Sequence, residues 1–210
     1  MKRIYEKSMK KKSALAIKGL SKQSGFTLIE LVIVIILLGL LAATALPRLL
    51  SATDNAEIAA LEGVAGGIST AISIAHSQWA ADGNQPGALT TPVNKVVINL
   101  DGKEFYMNEY GWPANVNIND DAAADGQTAD ECRQVFDNIL QSSPAATINT
   151  QDRGNHRYFI SAESNLGGSG NIVGDVCRYE MILNTSANAT PTHYFDYDLV
   201  DGQVVVFYPK

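Results

Sequence analysis

From Phe26 to Leu46 the chain reads FTLIELVIVIILLGLLAATAL, with Glu30 as its single charge. Coiled as an α-helix at about 1.5 Å per residue, this run is roughly 30 Å long, the thickness of a bilayer's hydrocarbon core. It is read as a membrane-crossing segment. A secretory signal peptide is the competing reading, since basic sequence precedes the run and Ala42, Ala43 and Ala45 imitate a small-residue cleavage site. Two features weigh against it. Helical patterning continues past Pro47 into the body of the chain. Glu30 also lies early in the apolar run, where a carboxylate is costly and therefore points to a function. No base follows it until Arg48.

Working outward, the charge changes sign across this run. Residues 1–25 hold eight Lys and Arg (Lys2, Arg3, Lys7, Lys10, Lys11, Lys12, Lys18, Lys22) against Glu6 alone, a net of +7, while the remainder holds eight bases and 21 acids, a net of −13. A basic stretch directly before an apolar one is the order expected of a cytoplasmic flank, and this membrane reading outweighs a nucleic-acid one. The acidic remainder offers no extended basic face for nucleic acid and suits an exported, soluble head. The chain, 210 residues and 46% hydrophobic, supports one globular domain with sequence left over for an appendage. Both cysteines, Cys132 and Cys177, lie beyond the apolar run. Exported, they are oxidised together; kept in the cytosol, they are two thiols.

The stretch Gly25-Phe26-Thr27-Leu28-Ile29-Glu30-Leu31, running into Val, Ile and Leu and then Pro47, closely resembles the N-terminal signature of type IV prepilins and type II secretion pseudopilins. The resemblance covers about a third of the chain. It implies that a membrane aspartyl peptidase cuts after Gly25 and that the new terminal Phe26 is N-methylated. Glu30 would then pair with the amino terminus of a neighbouring subunit, and an opposite charge favours an ionised carboxylate in a nonpolar medium. Gly25, lacking a side chain, leaves the backbone accessible and breaks a helix running in from the leader. The 25-residue leader is longer than in many phenylalanine-type pilins, and Met9, followed by three lysines, is a second candidate start.

Beyond Pro47, Ile58, Leu61, Ala65, Ile68, Ile72, Ala75 and Trp79 recur at alternating steps of three and four, one helical face. This predicts an amphipathic extension buried on a head, ending near Asp82-Gly83. Pro47 removes a backbone donor and is expected to kink or locally melt the rod. In the head, Asp101-Gly102 within Val96–Asn108 predicts a tight hairpin. A second hairpin joins His193–Leu199 to Gln203–Tyr208, and Arg157–Ala162 and Arg178–Leu183 are further strands. Thr128 and Glu131 have capping-box spacing before Cys132, Val135, Phe136, Ile139 and Leu140, which predicts a short helix.

Cys132 and Cys177 are read as a disulfide rather than a zinc pair, because no histidine cluster accompanies them. In pilins a comparable bridge staples a variable surface region. NEYGWPANV (Asn108–Val116) and ECRQVFDNIL (Glu131–Leu140) resemble minor pilins of the mannose-sensitive haemagglutinin type, which implies attachment or pilus biogenesis.

Other constellations carry no chemistry in this reading. His76, His156 and His193 are dispersed, without a Ser/His/Asp context. Gly167-Gly168-Ser169-Gly170 lacks the Lys-Ser/Thr ending of a phosphate loop and is expected to be a flexible connector. Asp121, Asp125 and Gly126 match a calcium loop, but Ala123 replaces its middle ligand and Cys132 its glutamate, so an acidic solvated loop is preferred. The sequons at Asn184 and Asn188 carry little weight.

The expected protein is α+β, with a long kinked N-terminal α-helix packed against an antiparallel β-sheet head. Its parts are a basic leader (1–25), a transmembrane helix (26–46), an amphipathic extension (47–82) and a β-rich head (83–210). No enzymatic activity, cofactor, metal or nucleic-acid partner is expected. The resemblance implies as partners the prepilin peptidase, other pilin subunits with their assembly machinery, and inner-membrane lipid before assembly. It places the subunit in the bacterial inner membrane, leader cytoplasmic and head periplasmic, and then in an extracellular pilus. A secretion pseudopilin and a membrane-anchored binding protein that never polymerises are the alternatives.

Overall fold

A computed structural model describes residues 25–86, 96–117, 119–120, 122–168 and 174–209. The leader before Gly25 lies outside the described residues, as do Asp121 and residues 169–173. The chain divides into two compact units, 1–49 and 50–210.

In the first unit, helix α1 (Leu28–Ala81) begins. Every residue from Leu28 to Leu49 is solvent-exposed, as an apolar helix is when its intended surroundings are lipid or other helices. Pro47 sits inside the helix with helical backbone on both sides, so the expected local melting does not occur. The proline still withholds one N–H from the helical ladder.

In the second unit α1 buries Leu61, Ala65, Ile68, Ile72, Ala75 and Trp79, the face expected from their spacing; Ile58 is only half-buried. The helix stops in a Schellman arrangement. Asn84 N–H donates to Trp79 O (3.4 Å) and Gly83 N–H to Ala80 O (3.0 Å), with Gly83 at φ 83°.

Two sheets complete the head. One has the order β1 (Val96–Leu100), β2 (Lys103–Met107), β3 (Pro113–Asn115). Asp101 (φ 50°) and Gly102 (φ 82°) close the β1–β2 hairpin with two left-handed residues, as the Asp-Gly pair predicts. The other has the order β4 (Ala146–Thr147), β5 (Tyr158–Gly167), β6 (Gly174–Met181), β7 (Tyr194–Asp198), β8 (Val204–Phe207). Its pairings are antiparallel except β4 with β5, which is parallel, so the sheet is mixed rather than wholly antiparallel.

The expected connector is corrected at its first residue alone. Gly167 belongs to β5 and pairs with Gly174, and at both positions other groups stand too close for a side chain. A Cβ on Gly167 would stand 2.8 Å from Asp198 Oδ1, and one on Gly174 2.4 Å from Val200 Cγ2. β6 accordingly starts earlier than Arg178 and ends before Leu183.

Helix α2 (Ala129–Ile139) starts at the Thr128–Glu131 capping box and buries Cys132, Val135 and Phe136. Cys132 is bonded to Cys177 on β6, with Cα atoms 5.4 Å apart and a sequence separation of 45. Closing a loop of that length contributes about 4 kcal/mol in the chain-entropy account. Around this bridge Phe136, Tyr158, Tyr179 and Phe195 form an aromatic core. The Tyr179 hydroxyl donates to Cys132 O (3.1 Å) and that of Tyr197 to Pro113 O (3.0 Å). Burial pushes the Tyr158 hydroxyl up to about 12.

Candidate functional site

The candidate site is the start of α1. Gly25, Phe26 and Thr27 are non-helical and exposed, Phe26 to 91%. The helix starts one residue after Thr27 because Thr27 and Glu30 cap it reciprocally. Glu30 Oε2 accepts hydrogen bonds from the Thr27 N–H and hydroxyl, both at 2.8 Å, and Glu30 N–H donates to Thr27 Oγ1 at 3.3 Å.

This contact was missed in reading the sequence. An acid with no base before Arg48 looked partnerless, yet its partners are neutral donors three residues back. The signal was present, since Thr27-Leu28-Ile29-Glu30 has the spacing used to place α2 at Thr128–Glu131. The lipid-length apolar run masked it.

The remaining predicted positions separate from this site. The Cys132–Cys177 bridge lies in the head core. Each histidine has its own neighbours: His76 stacks on Trp112 (centroids 3.9 Å) and hydrogen-bonds Gly111 O, His156 meets Asp152 O, and His193 meets Thr192 Oγ1. Among the described residues, no three His, Cys, Asp or Glu gather into a metal-holding group.

The acidic loop before α2 is organised by Asp175, a buried residue that sequence reading did not single out. Its Oδ2 accepts from Gly126 and Gln127 N–H (both 2.9 Å) and its Oδ1 from Asn165 N–H (3.1 Å). A carboxylate so occupied by backbone donors ties loops together. The NEYGWPANV segment is likewise a built turn. Buried Asn108 accepts from Tyr110 and Trp112 N–H, and Gly111 at φ 83° lies under the Trp79 ring.

The exposed, capped helix start opens the one helix among the described residues that is long and apolar enough to cross a membrane. The family description matching residues 20–46 is the prokaryotic N-terminal methylation motif. The chain carries that motif. It is 44% identical over 57 residues to a type IV narrow pilus major component of Thermus thermophilus, covering 27% of this chain and 49% of that one. It is 38% identical over 100 residues to a fimbrial protein of Neisseria meningitidis, covering 45% and 59%. It is also 40% identical over 53 residues to the type II secretion system core protein G of Pseudomonas aeruginosa, covering 25% and 37%. The chain thus spans about half the length of the curated relatives it matches. No solved structure matches it. With this motif, a membrane-length apolar helix and an α+β head, the chain is pilin- and pseudopilin-like.

Proposed function

We propose that the protein is a structural subunit of a type IV pilus, held in the inner membrane by the apolar part of α1 and then polymerised through it. The observation that carries this reading is the methylation motif at residues 20–46, placed on an exposed non-helical Gly25–Thr27 segment that opens a membrane-length helix. The prepilin peptidase cuts the Gly25–Phe26 bond, and the freed Phe26 amine is methylated. Glu30 receives the amino terminus of a neighbouring subunit, pairing opposite charges where water is scarce. Pro47 withholds one N–H from the helical ladder of the rod. The disulfide-stapled head supports attachment from the filament surface, and no catalytic step is assigned to the chain.

Mass spectrometry of the N-terminal peptide from the native host tests this reading. The expected result is a chain beginning at methylated Phe26; an intact leader, or a cut near Ala45, would sink it. A type II secretion pseudopilin is the second reading, favoured by the similarity to the secretion core protein. Recovery with sheared surface pili supports the first and recovery with a secretion complex the second. A correctly cleaved chain that stays monomeric in native membranes would instead be an anchored binding protein.

A further inference from the structure

The five-stranded sheet has two unlike edges. β4 is two residues long, whereas β8 reads Val204-Val205-Val206-Phe207 and runs on into Tyr208 and Pro209. No charge falls between Gln203 and Pro209, and no bulge interrupts the pairing of β8 with β7, so the usual devices that blunt an open edge are missing from this one. The ladder fixes which backbone groups are left over. Asp198 N–H donates to Gln203 O (2.9 Å), and the register runs from Tyr197↔Val204 to Tyr194↔Phe207. By antiparallel alternation Val205 and Phe207 bond to β7, while the N–H and C=O of Val204 and Val206 point away from it. Among the described residues, nothing hydrogen-bonds these outward groups. Side chains alternate too. Val204 and Val206 pack on the core and the Tyr208 hydroxyl donates to Glu62 Oε1 on α1 (3.1 Å), whereas Val205 and Phe207 are 44% and 40% exposed.

From this geometry we infer that β8 is a pairing edge for the β8 of a second copy of the chain, antiparallel about a two-fold axis at Val206. In this register Val206 hydrogen-bonds the other copy's Val206, and Val204 the other copy's Tyr208. Val205 falls opposite the other copy's Phe207 in a non-hydrogen-bonded pair, where side chains lie closest. A second copy is the occupant because the edge is complementary to itself in hydrogen bonds, in apolar side chains and in charge. Each Glu62 carboxylate sits beside its own Tyr208, at opposite ends of the paired edge, about 13 Å apart along the strands and beyond the Debye length of about 8 Å. An edge from Val204 to Tyr208 is about 17 Å long and buries far less than the roughly 800 Å² per partner of a stable dimer. The pair therefore forms where copies are concentrated, as when a membrane-length helix holds them in one bilayer. A two-fold pair closes on itself and cannot propagate a filament, so this contact is additional to the assembly through α1 proposed above and does not depend on it.

Full-length chains in phospholipid bilayers provide the test. Val205→Cys and Phe207→Cys alter exposed positions, and the native Cys132 and Cys177 are bonded and buried. Under mild oxidation a mixture of the two variants is expected to crosslink more than either variant alone, with the yield falling as lipid dilutes the protein. Hydrogen exchange of the chain without added cysteines gives a second reading. At high density the Val204 and Val206 amides are expected to be protected, and Val205→Lys to remove that protection while the Phe207 amide, held by β7, stays slow. Fast exchange of Val204 and Val206 at every density, or a mixture that crosslinks no better than Val205→Cys alone, would overturn the pairing. Protection that appears only when an unrelated extended peptide is added would give the edge to another partner and overturn it as well.

Discussion

The molecule uses one four-residue device twice, and the two copies differ in what surrounds them. At Thr27–Glu30 and at Thr128–Glu131 the glutamate Oε2 accepts from the threonine N–H and hydroxyl at 2.7–2.8 Å, and the glutamate N–H returns a 3.3 Å bond to the threonine oxygen. Locally the pair is the same motif. Glu131, however, is 6% exposed and followed by Cys132, Val135 and Phe136 in the head core, whereas Glu30 opens the Leu28–Leu49 part of α1, in which every residue is exposed. Spacing sets the hydrogen bonds, and burial decides whether the carboxylate serves folding or is available to another molecule.

The sharpest way to break the comparison is to remove the acid that faces outward. Glu30→Ala is expected to abolish incorporation into filaments while cleavage after Gly25 proceeds. Incorporation at the normal level would show that the two boxes do the same job. Sheared-filament yield and N-terminal mass spectrometry together provide both readings.

A smaller but still large effect belongs to a third carboxylate, held differently again. Glu180 is buried with Arg153 in a two-pronged ion pair, and Arg153 also lies over the Phe159 ring at 4.8 Å. Here a full positive charge, not a pair of neutral donors, offsets the desolvated carboxylate. Arg153→Ala strands the Glu180 charge in the interior and is expected to cost roughly 3–5 kcal/mol of head stability. Thermal unfolding of the full-length chain in detergent, followed by near-ultraviolet circular dichroism, measures it. A melting temperature unchanged by the substitution would mean that this pair is solvated in solution.

The smallest effect comes from the inner box. Thr128→Ala removes the α2 cap and is expected to cost about 1 kcal/mol, visible as a modest drop in the same transition, with filament yield little changed. A loss of filaments comparable to that of Glu30→Ala would remove the distinction between the boxes.

How much could be read from the chain followed the range of the interactions involved. The buried face of α1 was legible because Leu61, Ala65, Ile68, Ile72, Ala75 and Trp79 repeat at helical spacing. The Asp101-Gly102 turn and the α2 cap were legible because each is complete within four residues. Gly167 was misread as connector because its constraint comes from Asp198, far along the chain. Strand β4 is two residues long and pairs in parallel with β5, a placement no local pattern announces. At the candidate site the motif and its acid were readable, while the Thr27 cap was overlooked for want of applying the same spacing rule inside an apolar run.

By itself the sequence determined what depends on neighbours in the chain: a charge reversal around a membrane-length helix, the position of the processing motif, the helical face, the caps and the tight turns. Periodicity and φ preferences act over a few residues and need no tertiary partner. Only the tertiary structure decided which distant groups meet. It brought the Asp175 carboxylate to the N–H groups of Gly126, Gln127 and Asn165, Arg153 to Glu180, and Cys132 to Cys177. Those contacts follow from packing two helices and two sheets together in the head, where a buried charge or donor must find its partner wherever the fold has placed it.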